Sequence, residues 1–124
     1  MTNLTMSLKK MLMVGVALVA LMGCSSAPKT PPPDFNNIAV TVAAGKPLKD
    51  VIVTSATHRR WFVTEVSAKE LRCSILQRSN KVEIDIVIQG PTTYSIRFAS
   101  SNIPEAKYLQ WVNNLQREIT KNAR

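Results

Sequence analysis

KVEIDIVIQ, residues 81–89, alternates without a break. Val82, Ile84, Ile86 and Ile88 fall on one side of an extended chain, and Glu83, Asp85, Val87 and Gln89 on the other. Period-two alternation of β-branched residues with mostly polar ones predicts a strand with one buried and one wet face. A wet face belongs to antiparallel sheets, because parallel sheets are covered on both sides.

Turn signals bracket this strand. Arg78-Ser79-Asn80 precedes it and Gly90-Pro91-Thr92-Thr93 follows it. Beyond the turns lie LRCSILQ (71–77) and YSIRFAS (94–100). In the first, Leu71, Cys73 and Ile75 share one side; in the second, Tyr94, Ile96 and Phe98 oppose Ser95, Arg97 and Ala99. RWFVTEV (60–66), before the polar break SAKE, is rich in aromatic and β-branched residues and predicts one more strand. Connections this short predict an antiparallel meander. Ile38, Val40 and Val42 add a short early strand ended by Gly45, giving four to five strands in all.

Two helices are predicted around the meander. In KPLKDVIVTSATHR (46–59), Leu48, Val51, Ile52 and Ala56 recur at helical spacing, with Pro47 in the first turn. Near the end, Asn102 and Glu105 are spaced as a capping box, with Pro104 in the first turn. Tyr108, Trp111, Val112, Leu115 and Ile119 make the apolar stripe, and Lys121 and Arg124 suit the C-terminal dipole. One apolar sheet face and two apolar helix stripes imply an α+β domain with both helices packed on one side of the sheet.

Upstream of the domain the chain has a different character. MTNLTMSLKK carries no acid and ends in Lys9 and Lys10, and MLMVGVALVALM follows without a charge. A basic start, a short apolar run and small residues are the order of a secretory signal. The apolar run is shorter than the about 20 residues a membrane span needs. Leu21-Met22-Gly23-Cys24 resembles the bacterial lipobox, in which the signal is cut before the cysteine and that cysteine is acylated. Several acyl chains give firm anchoring where one gives only marginal binding. Ser25, in place of the aspartate that resembles an inner-membrane retention signal, implies export to the outer membrane. The expected organisation is a signal peptide over 1–23, a lipidated Cys24 with a proline-rich tether over 24–36, and one domain over 37–124. Pro31-Pro32-Pro33 favours an extended tether.

The formal net charge is +8, and loss of Lys9 and Lys10 with the signal leaves +6. A basic domain at that address has phosphates and carboxylates as neighbours. Yet the cations are spread along the chain, which is also how solubility charge is distributed. Nucleic acid is excluded as a partner by the exported address. The oligomeric state is not legible. With Cys24 spent on lipid, Cys73 has no disulfide partner, and its register makes it a buried small hydrophobe rather than a reactive thiol.

Trp61 to Leu115 resembles a family of small proteobacterial lipoproteins of unassigned activity. The resemblance rests on the tryptophan of RRW, the strand VEIDI, then YSI, SSN and the closing WVNNL, together with the lipobox. It implies a fold and an address, not a reaction. Where that pattern often has a histidine opening the long strand and a tyrosine after the S-x-N element, this chain has Lys81 and Ile103. Any ligand held by those residues in relatives is not implied here.

Little in the chain announces chemistry. His58, the single histidine, stands beside Arg59 and Arg60 at a predicted helix end, where a cation is favourable in its own right. Glu83 and Asp85 share a strand face and are expected opposite Arg72 and Arg97 as cross-strand pairs rather than as a catalytic couple. Ser100, Ser101 and Asn102 read as the start of a helix. Metal-ligand spacing, a phosphate loop and G-x-S-x-G are missing from the sequence, so neither cofactor nor metal is expected. Trp61 and Trp111 are expected in the core, with one of them a candidate exposed anchor.

The reading that follows is a non-enzymatic, lipid-anchored interaction module of the bacterial envelope, facing the periplasm. Arg59, Arg60, Trp61 and Arg97 are its candidate contact residues and Cys24 its lipidation site. The alternative is a binder of an anionic envelope polymer or lipid, such as peptidoglycan or lipopolysaccharide. A hydrolase requires a pocket that gathers His58 with a carboxylate.

Overall fold

The computed structural model describes residues 30–124. Cys24 and the signal segment lie outside them. Pro31–Arg124 forms a compact unit of its own.

That unit runs β1 (Phe35–Ala39), α1 (Leu48–His58), β2 (Phe62–Ser67), β3 (Glu70–Gln77), β4 (Asn80–Gly90), β5 (Thr93–Ser101) and α2 (Glu105–Ala123). β2 to β5 form the meander, and β1 adds beside β5, so the sheet order is β1-β5-β4-β3-β2. Every ladder is antiparallel. The chain has the α+β architecture that the alternation in β4 predicts.

The registers place the expected side chains inward. Cys73 lies opposite Ile84, Leu71 opposite Ile86, and Ile86 opposite Ile96. Leu48, Val51, Ile52 and Ala56 from α1 and Tyr108, Val112, Leu115 and Ile119 from α2 close over that face in one core. Phe98 meets Tyr108 edge to face, ring centroids 5.3 Å apart. Cys73 is fully buried, and burial, with Asp85 nearby, pushes its thiol up to about 12. At neutral pH it is a packing residue.

Several local details differ from the sequence reading. β1 starts at Phe35 and ends at Ala39, earlier than Ile38–Val42 suggests. Phe35 pairs with Ile96, and Asp34 Oδ1 accepts the Phe98 N–H at 2.9 Å, so the domain begins inside the stretch read as tether. A bulge at Asn37, whose φ is 54°, interrupts the alternation between Phe35 and Ile38 and conceals where the strand begins. Val40 and Val42 still face the core, beyond the strand end. Gly45, at φ 83°, makes the turn that carries the chain into α1, closed by Lys46 N–H to the Ala43 carbonyl at 3.1 Å.

Both prolines precede their helices instead of occupying the first turn; Pro47 and Pro104 are extended at the N-cap positions. The capping box at Asn102 does not form. Its Oδ1 accepts the Lys81 N–H and its Nδ2 donates to the Ser79 carbonyl, both at 2.7 Å. The β3–β4 hairpin turn competes for the same side chain and satisfies it on both ends.

Candidate functional site

The end of α1 brings His58, Arg59 and Arg60 together at one corner. Arg59 and Arg60 leave the helix through a C-terminal motif in which the Arg60 N–H donates to the Thr57 carbonyl at 2.9 Å and the Trp61 N–H to the Ala56 carbonyl at 2.8 Å. This double closure needs a left-handed residue after the cap, a place glycine usually fills. Arg60 fills it at φ 71°. The left-handed region costs a side-chain-bearing residue about 1–2 kcal/mol. Trp61, buried to 4 % exposure, then pins the corner into the core.

A cavity of about 260 Å³ lies against this corner. Arg59 and Arg60 supply its cationic side with His58 beside them, and Trp61, Ile75 and the half-buried Trp111 its apolar one. Gln77 and Asn114 complete the lining, which contains no carboxylate. Arg59 and Arg60 form no ion pair among the described residues. Lys107 sits 5.7 Å from the Trp111 ring centroid, within cation–π range.

His58 does meet a carboxylate. Its Nδ1 is 2.7 Å from Glu118 Oε2 of α2. Glu118 is 9 % exposed, and the hydrogen bond to His58 holds its carboxyl below the usual carboxylate range against the opposing effect of burial. Nothing local predicts this pair, because the partners are 60 positions apart. One sign is available: Glu118 falls beside Leu115 and Ile119 on the stripe of a helix whose other acid, Glu105, is in the first turn. With Nδ1 engaged, Nε2 is the ring nitrogen left without a partner among the described residues.

A second depression on the other side of the pair is lined by Val53, Thr54, Thr57, Glu118, Lys121 and Asn122 as well as His58. Ser55, the buried hydroxyl nearest in sequence, is committed: its Oγ donates to the Val51 carbonyl at 2.7 Å and accepts from Asn122 Nδ2 at 2.9 Å. The pair thus orients an imidazole and leaves no described hydroxyl bonded to it for nucleophilic attack.

Of the candidate contact residues, the corner unites Arg59, Arg60 and Trp61. Arg97 is elsewhere, on the sheet face away from the helices. It lies opposite Asp85 in register. Asp85 is taken by Arg72, through contacts of 2.5 and 3.1 Å. Arg72 also approaches Glu83 at 3.9 Å. The Arg72–Asp85 pair is the expected cross-strand pair, whereas Glu83 lies opposite Ser74 and Ser100, accepts from Ser100 Oγ at 3.1 Å, and Arg97 forms no ion pair among the described residues.

A separate feature lies at the β2 edge. Phe62 and Leu76 are each 71 % exposed and Val66 is 57 % exposed. Phe62 stands opposite Ser74, which makes Leu76 its diagonal neighbour on the same open face. Among the described residues β2 has no partner on its outer side.

Among the described residues no helix is long and apolar enough to cross a membrane, and no group of three or more His, Cys, Asp or Glu side chains is arranged to hold a metal. Compared with protein-family models and with curated proteins, the chain matches none.

Proposed function

We propose that this chain is a bacterial envelope lipoprotein, anchored through Cys24 to the outer membrane and facing the periplasm, whose domain is a non-enzymatic interaction module. The address rests on the ordered signal, lipobox and proline-rich segment, and on the resemblance to small lipoproteins that they share with the domain motifs. The observation that carries the module reading is the neighbouring pair Phe62 and Leu76, both exposed on the open sheet face beside the β2 margin. The large apolar side chains left exposed among the described residues lie on β2, the last strand of the described sheet, and on β3 beside it, with Val66 towards the far end of β2. The partner this edge suits is an extended protein segment with alternate apolar side chains. Backbone hydrogen bonds along β2 supply affinity and the apolar contacts supply selection.

Two measurements test this. Cys24→Ser should abolish incorporation of labelled palmitate and leave the precursor uncut; normal maturation of that variant overturns the address. A photo-crosslinking residue at position 62 or 76 should give the same single envelope protein in cells, and one at position 110, on the exposed side of α2, should not. Equal labelling from all three positions, or none from 62 and 76, overturns the module.

A second reading, a binder of an anionic envelope polymer or lipid, is favoured by one observation: Arg59 and Arg60 flank a cavity without a carboxylate partner. It requires binding to anionic vesicles that weakens steeply with salt.

A further inference from the structure

We propose that the corner cavity between α1, β3 and α2 binds a sugar ring that carries a phosphate or carboxylate. The inference rests on the anion-binding reading and names its site and ligand class. Three features of the lining lead to it. Arg59 and Arg60 offer two guanidinium groups, the side chain best matched to phosphate and carboxylate oxygens. Gln77 and Asn114 offer amides, which both donate to and accept from ring hydroxyls. Asn114 Oδ1 already accepts from Arg117, so its Nδ2 is the end left for a ligand. Trp111 and Ile75 supply an apolar wall for the ring itself.

Size narrows the class. About 260 Å³ is below the roughly 300–1,000 Å³ of sites for drug-sized ligands, so the cavity takes a single ring with its charged group rather than a length of polymer. Recognition falls to side chains. The backbone N–H groups of Arg59, Arg60 and Trp61 are all spent on carbonyls of the last turn of α1. Glu118 fixes the plane of His58 at one side of the cavity, through Nδ1, and so acts as a positioning residue.

The left-handed Arg60 is the second line of argument. Glycine would close the same helix end without strain. An arginine placed where the backbone disfavours it is a local cost, and costs of that kind gather at ligand sites. The strain also provides a clean variant. Arg60→Gly removes the guanidinium while relieving the backbone, so any loss of binding is not a loss of fold.

Both tryptophans of the chain line the cavity, so intrinsic fluorescence reads its occupancy. The experiment titrates the full chain, in a polyoxyethylene detergent, with glucose 1-phosphate, glucuronate, glucose and inorganic phosphate. At least one of the two anionic sugars should change the emission saturably, and their order separates a phosphate source from a carboxylate source. Glucose and inorganic phosphate should each bind about tenfold more weakly, and Arg59→Gln and Arg60→Gly should each weaken the anionic sugar by about tenfold. Equal binding of glucose and its phosphate, or an unchanged Kd in Arg60→Gly, overturns the proposal. Anionic vesicles that bind wild type and Arg60→Gly alike would overturn this site and leave the anion-binding reading standing. Binding to neither sugars nor vesicles overturns both.

Discussion

His58 Nδ1 and Glu118 Oε2 are 2.7 Å apart, and this contact ties the last turn of α1 to the buried stripe of α2. It joins the cationic corner to the core. The imidazole that borders the cavity is held by a carboxylate that the hydrogen bond keeps ionised against the opposing effect of burial.

The pair makes stability depend on acid. Glu118 is held below its ordinary range, mainly by the hydrogen bond to His58, with Asn122 and Lys121 acting in the same direction. A depressed folded-state pKa contributes stability that is complete above the unfolded value, about 4.3 for glutamate, and is lost as pH falls through the folded one. Denaturant unfolding of wild type and Glu118→Gln should therefore differ at pH 6, and the difference should shrink as pH falls below the unfolded value and vanish only beneath the depressed folded one. A difference that persists at low pH would show that Glu118 stabilises by packing and not by charge.

Arg60→Gly should stabilise the domain. Relief of the left-handed conformation is worth about 1–2 kcal/mol, and the greater freedom of glycine in the unfolded chain returns about 0.5–1. A net gain of about 0.5–1 kcal/mol is expected in denaturant unfolding, with none for Arg60→Ala, which keeps a Cβ.

Tyr94 and Tyr108 each bury a hydroxyl that finds no partner among the described residues. Burial pushes Tyr94 up to about 12 and Tyr108 higher still. Removing an unpaired buried hydroxyl ends a desolvation cost of about 1–3 kcal/mol. Tyr94→Phe and Tyr108→Phe should accordingly be neutral or more stable than wild type. A loss above about 1 kcal/mol in either would mean that its hydroxyl is bonded in solution.

The start of the domain is testable by truncation. A chain beginning at Asn37 lacks both the Phe35–Ile96 pairing and the Asp34 acceptor for Phe98. It should be less stable than one beginning at Pro31, and Asp34→Ala in the longer chain should cost about 1 kcal/mol of that difference. Equal midpoints for the two chains would place the boundary where composition alone puts it.

The strands and the core stripes were legible because period is a property of neighbours. Ile84 and Ile86 declare their face whatever lies across the sheet, and Leu115 and Ile119 do the same along α2. What escaped the sequence was competition and distance. Asn102 had two possible partners, a helix end and a hairpin turn, and sequence spacing registers only the first. Glu118 needed knowledge of how α1 crosses α2. Asn37 concealed the start of β1 because a bulge breaks the very alternation by which strands are recognised. At the site, Arg59, Arg60 and Trp61 were visible as a run, but the cavity that unites them with Gln77, Trp111 and Asn114 draws on three separate elements.

The order of the strands also has a mechanical side. The chain enters the sheet at β1 and exposes its apolar edge at β2, the opposite margin. A pull applied between Pro31 and anything gripping β2 crosses β5, β4 and β3 in turn, at right angles to the strands. Such a load opens hydrogen bonds one after another instead of shearing a whole ladder at once. The weakest link is then the bulged, five-residue β1. Under tension this strand should peel first, ahead of the longer ladders that join β3, β4 and β5.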